Sequence, residues 1–175
     1  MQINQALGLI RQIPDYPKPG ILFQDITPLL AHPDGFRVTI ETISELSPHS
    51  NVVAGIEARG FILGSAIALQ KTIGFVPLRK KGKLPFSTFS RSYGLEYGED
   101  ELEIHTDSLS PDSKVLLVDD VLATGGTLCA ALELISDAGG SIQEVAVLIE
   151  ISELQGRAKI EAQFPGIRLI SLITV

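Results

Sequence analysis

The chain has 175 residues, of which 14 are basic and 21 acidic, and its net charge at pH 7 is −7. This length fits one domain, and 45% hydrophobic with 20% charged residues is typical of a folded globular protein rather than a disordered one. The acidic balance argues against a general nucleic-acid binder, which needs a basic surface.

Neither a disulfide framework nor an export signal is expected. Cys129 is the single cysteine, so it can form no internal disulfide, and we interpret it as a small buried residue. The N-terminus lacks a basic region followed by an apolar run, and the apolar runs are too short to cross a bilayer. The expected location is therefore the cytoplasm, without a membrane partner.

Taken in chain order, the residue pattern predicts an α/β fold. The first expected elements are a short helix at 7–12, a proline-rich ordered loop at 14–20, an extended run at 21–23 and a helix at 35–46. An alternation follows, with strands predicted at 51–56, 74–78, 113–119, 144–149 and 167–173, and helices at 61–69 and 125–138. Nearly continuous apolar strands separated by helices indicate a mainly parallel sheet, which binds ligands at the carboxyl ends of its strands.

The stretch 85–105 differs from the rest because it is polar and carries several serines and tyrosines. It is predicted to form a β-hairpin, or flap, inserted between core strands. A plain surface hairpin is the alternative interpretation.

The most informative motif is the strand that ends in Asp119 and Asp120, followed by a glycine-rich loop. The loop residues are Ala123, Thr124, Gly125, Gly126 and Thr127. Glycines let a backbone approach an anion, and the N–H groups that begin a helix suit a phosphate. Two carboxylates would repel that phosphate unless they contact hydroxyls or a metal, so a sugar phosphate accompanied by Mg²⁺ fits. The motif is neither a Walker A loop nor a dinucleotide fingerprint.

A cluster of cations follows the strand predicted at 74–78. It consists of Arg79, Lys80, Lys81 and Lys83. We predict that the cluster holds an anion, because an acidic chain places four cations within five residues; a solvated face is the alternative. Arg59, in a glycine-flanked loop after an earlier strand, is a candidate for the same anion, with a surface ion pair as its alternative. Lys81 is expected to point away from the site, since neighbours on an extended chain alternate faces.

The residues 115–127 resemble the signature of the type I phosphoribosyltransferases, which bind 5-phosphoribosyl 1-diphosphate (PRPP). Further segments at 14–28, 57–61, 79–85 and 95–98 are similar, in the same order, to the adenine-specific members of that family. The resemblance covers about 13–157 and implies a type I phosphoribosyltransferase fold in a single domain, 1–175. It also implies an N-terminal hood, mainly 1–34 with a contribution from about 150–160, and a flexible flap at about 85–105.

The resemblance implies an enzyme of purine salvage that transfers the 5-phosphoribosyl group of PRPP to adenine and gives AMP and pyrophosphate. It implies a cytoplasmic homodimer, with Mg²⁺ held mainly by the substrate and without a direct protein ligand. A relative acting on xanthine, hypoxanthine or orotate is the alternative enzyme. A ligand sensor that binds DNA or RNA is the alternative from another class, disfavoured by the acidic composition.

The resemblance also implies individual roles. The loop 123–127 would bind the 5-phosphate, and Asp119 and Asp120 would face the ribose hydroxyls. Pyrophosphate would contact the cations Arg59, Arg79, Lys80 and Lys83. Adenine would stack between Phe23 and Ile151, while backbone groups around Leu22 and Gln24 read its edge; many relatives carry arginine at the Gln24 position.

Two flap residues complete the set that the resemblance implies. Glu96 would be the general acid that gives a proton to the adenine ring, and Tyr97 is its neighbour on the flap. Glu96 and Arg59 would therefore be the catalytic residues. The alternatives are a solvent-facing glutamate for Glu96 and an ordinary core aromatic for Phe23.

Overall fold

The computed structural model describes residues 1–94 and 99–175, which form two compact units, 1–46 and 47–175. The first unit contains three helices and a two-stranded antiparallel sheet. Its elements are α1 (Ile3–Leu7), β1 (Arg11–Ile13), β2 (Phe23–Asp25), α2 (Thr27–Ala31) and α3 (Pro33–Leu46).

The helix predicted at 7–12 is wrong. The helix α1 ends at Leu7 and is capped by Gly8, and the chain then enters β1, which pairs with β2. An ion pair between Arg11 and Asp25 joins the two strands, with 2.9 Å between Nη2 and Oδ2. The pairing partner thus decides the conformation of this stretch more strongly than its local pattern does.

The second unit carries the main sheet. Its first elements, β3 (Val52–Ile56), α4 (Arg59–Lys71) and β4 (Gly74–Lys80), form a parallel β-α-β unit, and the hairpin of β5 (Thr88–Gly94) and β6 (Glu99–His105) follows. The remaining elements are β7 (Lys114–Leu122), α5 (Gly126–Asp137), β8 (Ser141–Glu150), a 3₁₀ turn (Ser152–Leu154), α6 (Gly156–Gln163) and β9 (Arg168–Thr174).

Within the described residues, the main sheet has seven strands in the order β5-β6-β4-β3-β7-β8-β9. The neighbours from β4 to β9 are parallel, and β6 runs antiparallel to both β4 and β5. The predicted α/β fold with a mainly parallel sheet is therefore confirmed. Because β4, β3 and β7 lie side by side in parallel, their carboxyl ends meet at one edge, where the segments after Ile56, Leu78 and Val118 converge.

The strand β7 is the apolar centre of this unit. Residues 115–118 are fully buried, as expected for a parallel strand covered on both faces. The strand continues past the predicted end, because β8 keeps pairing with it as far as the partners Leu122 and Glu150. Asp119 and Asp120 therefore lie inside β7, where Asp120 is buried and Asp119 is half-buried.

Two further boundaries differ from the prediction. Arg59 was expected in a loop, but it is the first residue of α4, so its side chain starts from an ordered helical turn. The helix α6 was not predicted, because only Gly156 and Ile160 in it are buried and its residues show no apolar period.

The glycine that begins α6 packs against the loop between β7 and α5. A side chain on Gly156 would overlap the carbonyl oxygen of Ala123, and its Cβ would lie 2.6 Å from Leu122 Cδ1 and 2.9 Å from the Gly125 nitrogen. The loop and α6 can approach this closely only because no side chain separates them. Gly125 faces Gly156 and has a φ of 79°, a conformation that glycine adopts without strain.

Replacing Gly156 by alanine is therefore expected to destabilise the protein by about 2 kcal/mol, because the added methyl group overpacks this contact. Chemical denaturation of Gly156→Ala would measure the change. Gly74→Ala is the matched control, since its Cβ would meet only Val52 Cγ2 at 3.8 Å. Equal stability of the two variants would contradict the assigned role of the contact.

Candidate active site

A small cavity lies at the loop that joins β7 to α5. It is lined by residues 121–128 and has a volume of about 60 Å³. That volume holds on the order of four water-sized groups, which is close to the four oxygens of a phosphate. The helix α5 begins at Gly126, so its first N–H groups, which have no partner within the helix, belong to the same lining. This geometry suits a tetrahedral anion.

Asp119 and Asp120 directly precede the residues that line this cavity. Burial raises the pKa of Asp119 well above its ordinary value, and repulsion from the neighbouring Asp120 carboxylate adds to the increase. Burial also raises the pKa of Asp120, although Arg59 opposes the change, with Nε 2.9 Å from Oδ2. Desolvated carboxylates of this kind gain from any group that donates a hydrogen bond to them, such as a hydroxyl.

Arg79 and Lys83 both contact Glu57 in the turn after β3. Arg79 Nε lies 3.3 Å and Lys83 Nζ 2.5 Å from the Glu57 carboxylate oxygens, and the Lys80 N–H donates to the same group at 3.0 Å. Burial acts to raise the pKa of Glu57, but the hydrogen bonds from Lys83, Lys80 and Arg79 outweigh it and lower the pKa. Glu57 is therefore ionised near pH 7 and holds two of the predicted anion-binding cations in place.

Lys80 connects the cation cluster to the hairpin. Its ammonium pairs with Asp100 on β6, and the hydroxyl of Tyr93 on β5 donates to the same carboxylate at 3.0 Å. Burial, together with this bond to Asp100, raises the pKa of Tyr93 to about 12, while a hydrogen bond with Thr127 of the loop lowers it in part. Tyr93 is thus a neutral phenol at pH 7 that joins the hairpin to the first turn of α5.

Lys81 has a different partner. It pairs with Glu101 at 2.6 Å, and Glu101 also accepts a hydrogen bond from Ser90. Asp100 and Glu101 are neighbours on β6 and so project to opposite faces of the hairpin. Lys80 and Lys81 therefore engage opposite faces of the hairpin.

The hairpin predicted at 85–105 is present as the antiparallel pair β5 and β6. Arg91 on β5 anchors it to α5 by ion pairs with Glu133 at 3.3 Å and Asp137 at 2.6 Å. Glu96 and Tyr97, the flap residues singled out from the sequence, lie outside the described residues.

Comparison with known proteins assigns the family. A family model described as a phosphoribosyl transferase domain matches residues 26–170. An adenine phosphoribosyltransferase of Parvibaculum lavamentivorans is 58% identical over 155 residues, covering 87% of this chain and 89% of the relative. One from Neisseria meningitidis serogroup C is 49% identical over 175 residues, covering 99% and 92%. The chain belongs to the adenine phosphoribosyltransferase family.

Solved structures of adenine phosphoribosyltransferases share the fold of this family member. The enzyme from Thermoanaerobacter pseudethanolicus superposes with a TM-score of 0.92 at 41% identity, covering 99% of this chain and all of its own. The Giardia lamblia enzyme, solved with 9-deazaadenine, superposes with a TM-score of 0.93 at 40% identity, covering 100% and 98%. The sequence-based expectation of a phosphoribosyltransferase is therefore confirmed.

Of the residues predicted to contact adenine, three lie in the first unit. Leu22 is exposed, Gln24 is buried, and the half-buried ring of Phe23 packs edge to face on Tyr16 with 5.2 Å between the ring centroids. Ile151 lies in the second unit, directly after β8, and its N–H donates to the Leu122 carbonyl oxygen at 2.9 Å. That bond ties Ile151 to the end of β7.

Residues 1–94 and 99–175 contain no group of three or more histidine, cysteine or acidic side chains able to hold a metal ion. The Asp119 and Asp120 carboxylates fit a Mg²⁺ that is bound through substrate oxygens and water, because their negative charge attracts the cation without a direct ligand bond. In the part of the chain that the structure describes, no helix is both long and apolar enough to span a membrane.

Several residues at this edge of the sheet were missed from the sequence. Asp100 and Tyr93 were not singled out, because their contacts depend on the register of β4, β5 and β6. Glu57 was noted only as part of a segment, although its position directly after β3 was a usable signal. Lys159 on α6 was also missed, because that helix itself was not predicted.

An ion pair between the half-buried Arg157 and the buried Glu150 holds the segment that carries Ile151. Arg157 contacts both carboxylate oxygens of Glu150, at 2.8 and 2.5 Å, and the Ser171 hydroxyl donates to the same group at 2.6 Å. The hydrogen bond from Arg157 lowers the pKa of Glu150, which is only 6% exposed. The pair therefore ties the end of β8 to α6 and β9.

Arg157→Gln is expected to lower the free energy of unfolding by about 2 kcal/mol near pH 7, because it leaves a buried carboxylate poorly compensated. The folded pKa of Glu150 is depressed, so this contribution is present above its ordinary pKa of 4.5 and is lost as the pH falls through the lower folded value. Urea denaturation of both proteins between pH 7 and pH 3 would measure the difference. A difference that stays constant over that range would contradict the assignment.

Proposed function

We propose that the enzyme transfers the 5-phosphoribosyl group of PRPP to adenine at the carboxyl edge of β3, β4 and β7. One observation supports this site: a phosphate-sized loop, the half-buried carboxylate of Asp119, the buried carboxylate of Asp120 and a group of cations all lie at or just after the carboxyl ends of strands that meet at that edge. PRPP has the matching parts, namely a 5-phosphate, ribose hydroxyls and a diphosphate. The products are AMP and pyrophosphate.

The loop residues Ala123, Thr124, Gly125, Gly126 and Thr127 bind the 5-phosphate in this proposal. Backbone N–H groups at the start of α5 donate to its oxygens, and the positive end of the helix dipole attracts its charge. Asp119 and Asp120 accept hydrogen bonds from the ribose hydroxyls. Their raised pKa values support this role, since donated hydrogen bonds offset the cost of desolvating both carboxylates.

Arg59, Arg79, Lys80 and Lys83 are proposed to bind the diphosphate. Each contacts a carboxylate in the structure, namely Asp120, Glu57 or Asp100. A diphosphate offers these cations more oxygens and more negative charge than a single carboxylate, so it can compete for them. Mg²⁺ bound by the diphosphate and ribose oxygens would neutralise charge on the leaving group.

The bond to the base is proposed to form as the bond to the diphosphate breaks. A ring nitrogen of adenine attacks C1 of the ribose, and the positive charge that develops on the sugar is oxocarbenium-like. The cations stabilise the departing diphosphate, and the fixed loop keeps C1 in line with the base. Glu96 is proposed as the acid–base group of the adenine ring, with Tyr97 beside it: it accepts the ring N–H proton that is released as the bond to C1 forms, and it returns this proton as the general acid when the reaction runs in reverse. The hairpin is proposed to exclude water as a competing nucleophile.

Adenine is the proposed base, and four residues are proposed to contact it: Leu22, Phe23, Gln24 and Ile151. An aromatic ring and an aliphatic side chain suit a planar base, because both offer flat or apolar surface for stacking. The tie between Ile151 and the end of β7 supports its part, since it fixes this side chain close to the ribose site.

We further propose that the enzyme is a cytoplasmic homodimer that requires Mg²⁺, as the family resemblance implies. The exposed Ile62 and Leu69, one heptad apart and so on one face of α4, are suited to a protein contact. Light scattering of the purified enzyme would determine its oligomeric state.

The base specificity is tested by offering adenine, hypoxanthine, guanine, xanthine and orotate separately, each with PRPP and Mg²⁺. AMP from adenine alone is the expected result, because Phe23 and the 14–28 segment around it resemble adenine-specific enzymes, and the departure at Gln24 affects a position where backbone groups are expected to contact the base. Product from another base instead would leave the phosphoribosyl transfer in place and refute the adenine assignment. Binding of PRPP without any product would favour a ligand sensor.

The role of Glu96 is tested by Glu96→Gln and Glu96→Leu. Each is expected to reduce kcat for AMP formation by about 100-fold, because general acid–base catalysis typically contributes at least this much. Glu99→Gln is the matched control, a neighbouring glutamate without an assigned role. Wild-type kcat in both Glu96 variants would refute the acid–base role.

A further inference from the structure

A cation that the sequence did not predict lies against the phosphate loop. Lys159 is one turn into α6, and Gly156 at the start of that helix packs directly on Ala123 and Gly125. A methyl group on Gly126 would lie 3.8 Å from Lys159 Nζ and 3.9 Å from the Thr124 hydroxyl oxygen. The ammonium and the hydroxyl therefore face the same point at the start of α5.

The pKa of the Cys129 thiol also indicates that the charge of Lys159 lies near the first turn of α5. Burial raises the pKa of the Cys129 thiol, and the positive charge of Lys159 acts in the opposite direction. Cys129 follows Gly126 by one helical turn. The charge of Lys159 is thus felt where the N–H groups of α5 begin.

Lys159 differs from the cations of the 79–83 cluster in its partners. Arg79, Lys80, Lys81 and Lys83 each pair with a carboxylate of β6 or of the turn after β3. Among residues 1–94 and 99–175, Lys159 forms no ion pair, and its side chain is exposed. An anion that enters the loop can therefore recruit its ammonium without breaking a contact that these residues make.

The loop also needs such a charge. A phosphate bound there would lie near the carboxyls of Asp119 and Asp120, and Arg59 already pairs with Asp120. Backbone N–H groups and threonine hydroxyls supply hydrogen bonds but no full positive charge. Lysine suits this task, because its ammonium is a compact charge on a flexible stem that can follow a phosphate oxygen.

We propose that Lys159 is a phosphate-binding residue that contacts the 5-phosphate of PRPP and of AMP from α6. This inference rests on the proposed function for the identity of the ligand, and it adds a residue from a separate helix to the loop 123–127. The contact is made in substrate and product alike, so Lys159 contributes to binding rather than to the chemical step.

The experiment compares Lys159→Gln with Lys159→Arg and with Lys114→Gln. Lys114 is the control, an exposed lysine at the amino end of β7 and hence at the opposite edge of the sheet. Calorimetric titration with ribose 5-phosphate, which lacks both diphosphate and base, measures the phosphate contact without turnover. Steady-state kinetics give kcat and the KM values for PRPP and adenine.

Lys159→Gln is expected to weaken the binding of ribose 5-phosphate about tenfold, which corresponds to the loss of one charged hydrogen bond, and to raise KM for PRPP by a similar factor. The kcat of Lys159→Gln and its KM for adenine should stay within about twofold of wild type. Lys159→Arg should recover most of the affinity for ribose 5-phosphate. Lys114→Gln should bind ribose 5-phosphate as the wild type does. Wild-type affinity of Lys159→Gln for ribose 5-phosphate would overturn the proposal, as would an equal loss in Lys114→Gln.

The two proposals fail in different ways. If the wild-type enzyme binds ribose 5-phosphate through Lys159 but makes no AMP from adenine, the phosphate contact stands and the proposed transfer is wrong. If AMP forms and Lys159→Gln binds ribose 5-phosphate normally, the transfer stands and the role of Lys159 is wrong.

Discussion

The close approach of Gly156 to the loop after β7 is the contact on which the rest of the site depends. It brings the start of α6 to the backbone of Ala123 and Gly125 without an intervening side chain. The loop 123–127 therefore packs against α6, and the segment between β8 and α6, which includes Ile151, is held close to the end of β7. Two parts of the site that are distant in sequence thus share one fixed backbone junction.

The second requirement of the site is electrostatic, because its cations have to be held close together. The chain is acidic overall, yet it collects arginines and lysines at the carboxyl ends of β3 and β4. Glu57 and Asp100 keep these cations close together at a distance where they would otherwise repel one another. Cationic side chains that are already ordered lose less conformational entropy on binding an anion than freely rotating ones would. This smaller loss favours binding of an anion in place of the carboxylates.

The sheet could be predicted from the sequence, and the loop 123–127 could be proposed as a phosphate site, because each leaves a local signal. Continuous apolar runs mark β3, β7 and β8, and Asp119 to Thr127 combines carboxylates, glycines and hydroxyls in one short stretch. Contacts that depend on the register of distant strands leave no such signal. The partners of Lys80 and Lys81 are set by how β6 aligns with β4, and that alignment cannot be derived from residue types alone.

The local sequence pattern also gave the wrong secondary structure, or none, where tertiary contacts decide the conformation. The stretch after Leu7 is extended because β2 offers it a partner, and α6 forms with little apolar surface of its own. The residues around Arg157 on α6 are held by an ion pair with Glu150, the last residue of β8. In each case a tertiary contact outweighs a weak local preference.

The strand order has a consequence for how a nascent chain acquires this structure. β3 lies between β4 and β7, and the hairpin separates β4 from β7 in the sequence. During synthesis, β3 and β4 emerge first, and the other edge of β3 then has to wait for β7 to leave the ribosome. An apolar strand with an open edge is the kind of surface on which chains associate wrongly. The hairpin between them thus lengthens the interval during which the central strand of this sheet is half-paired.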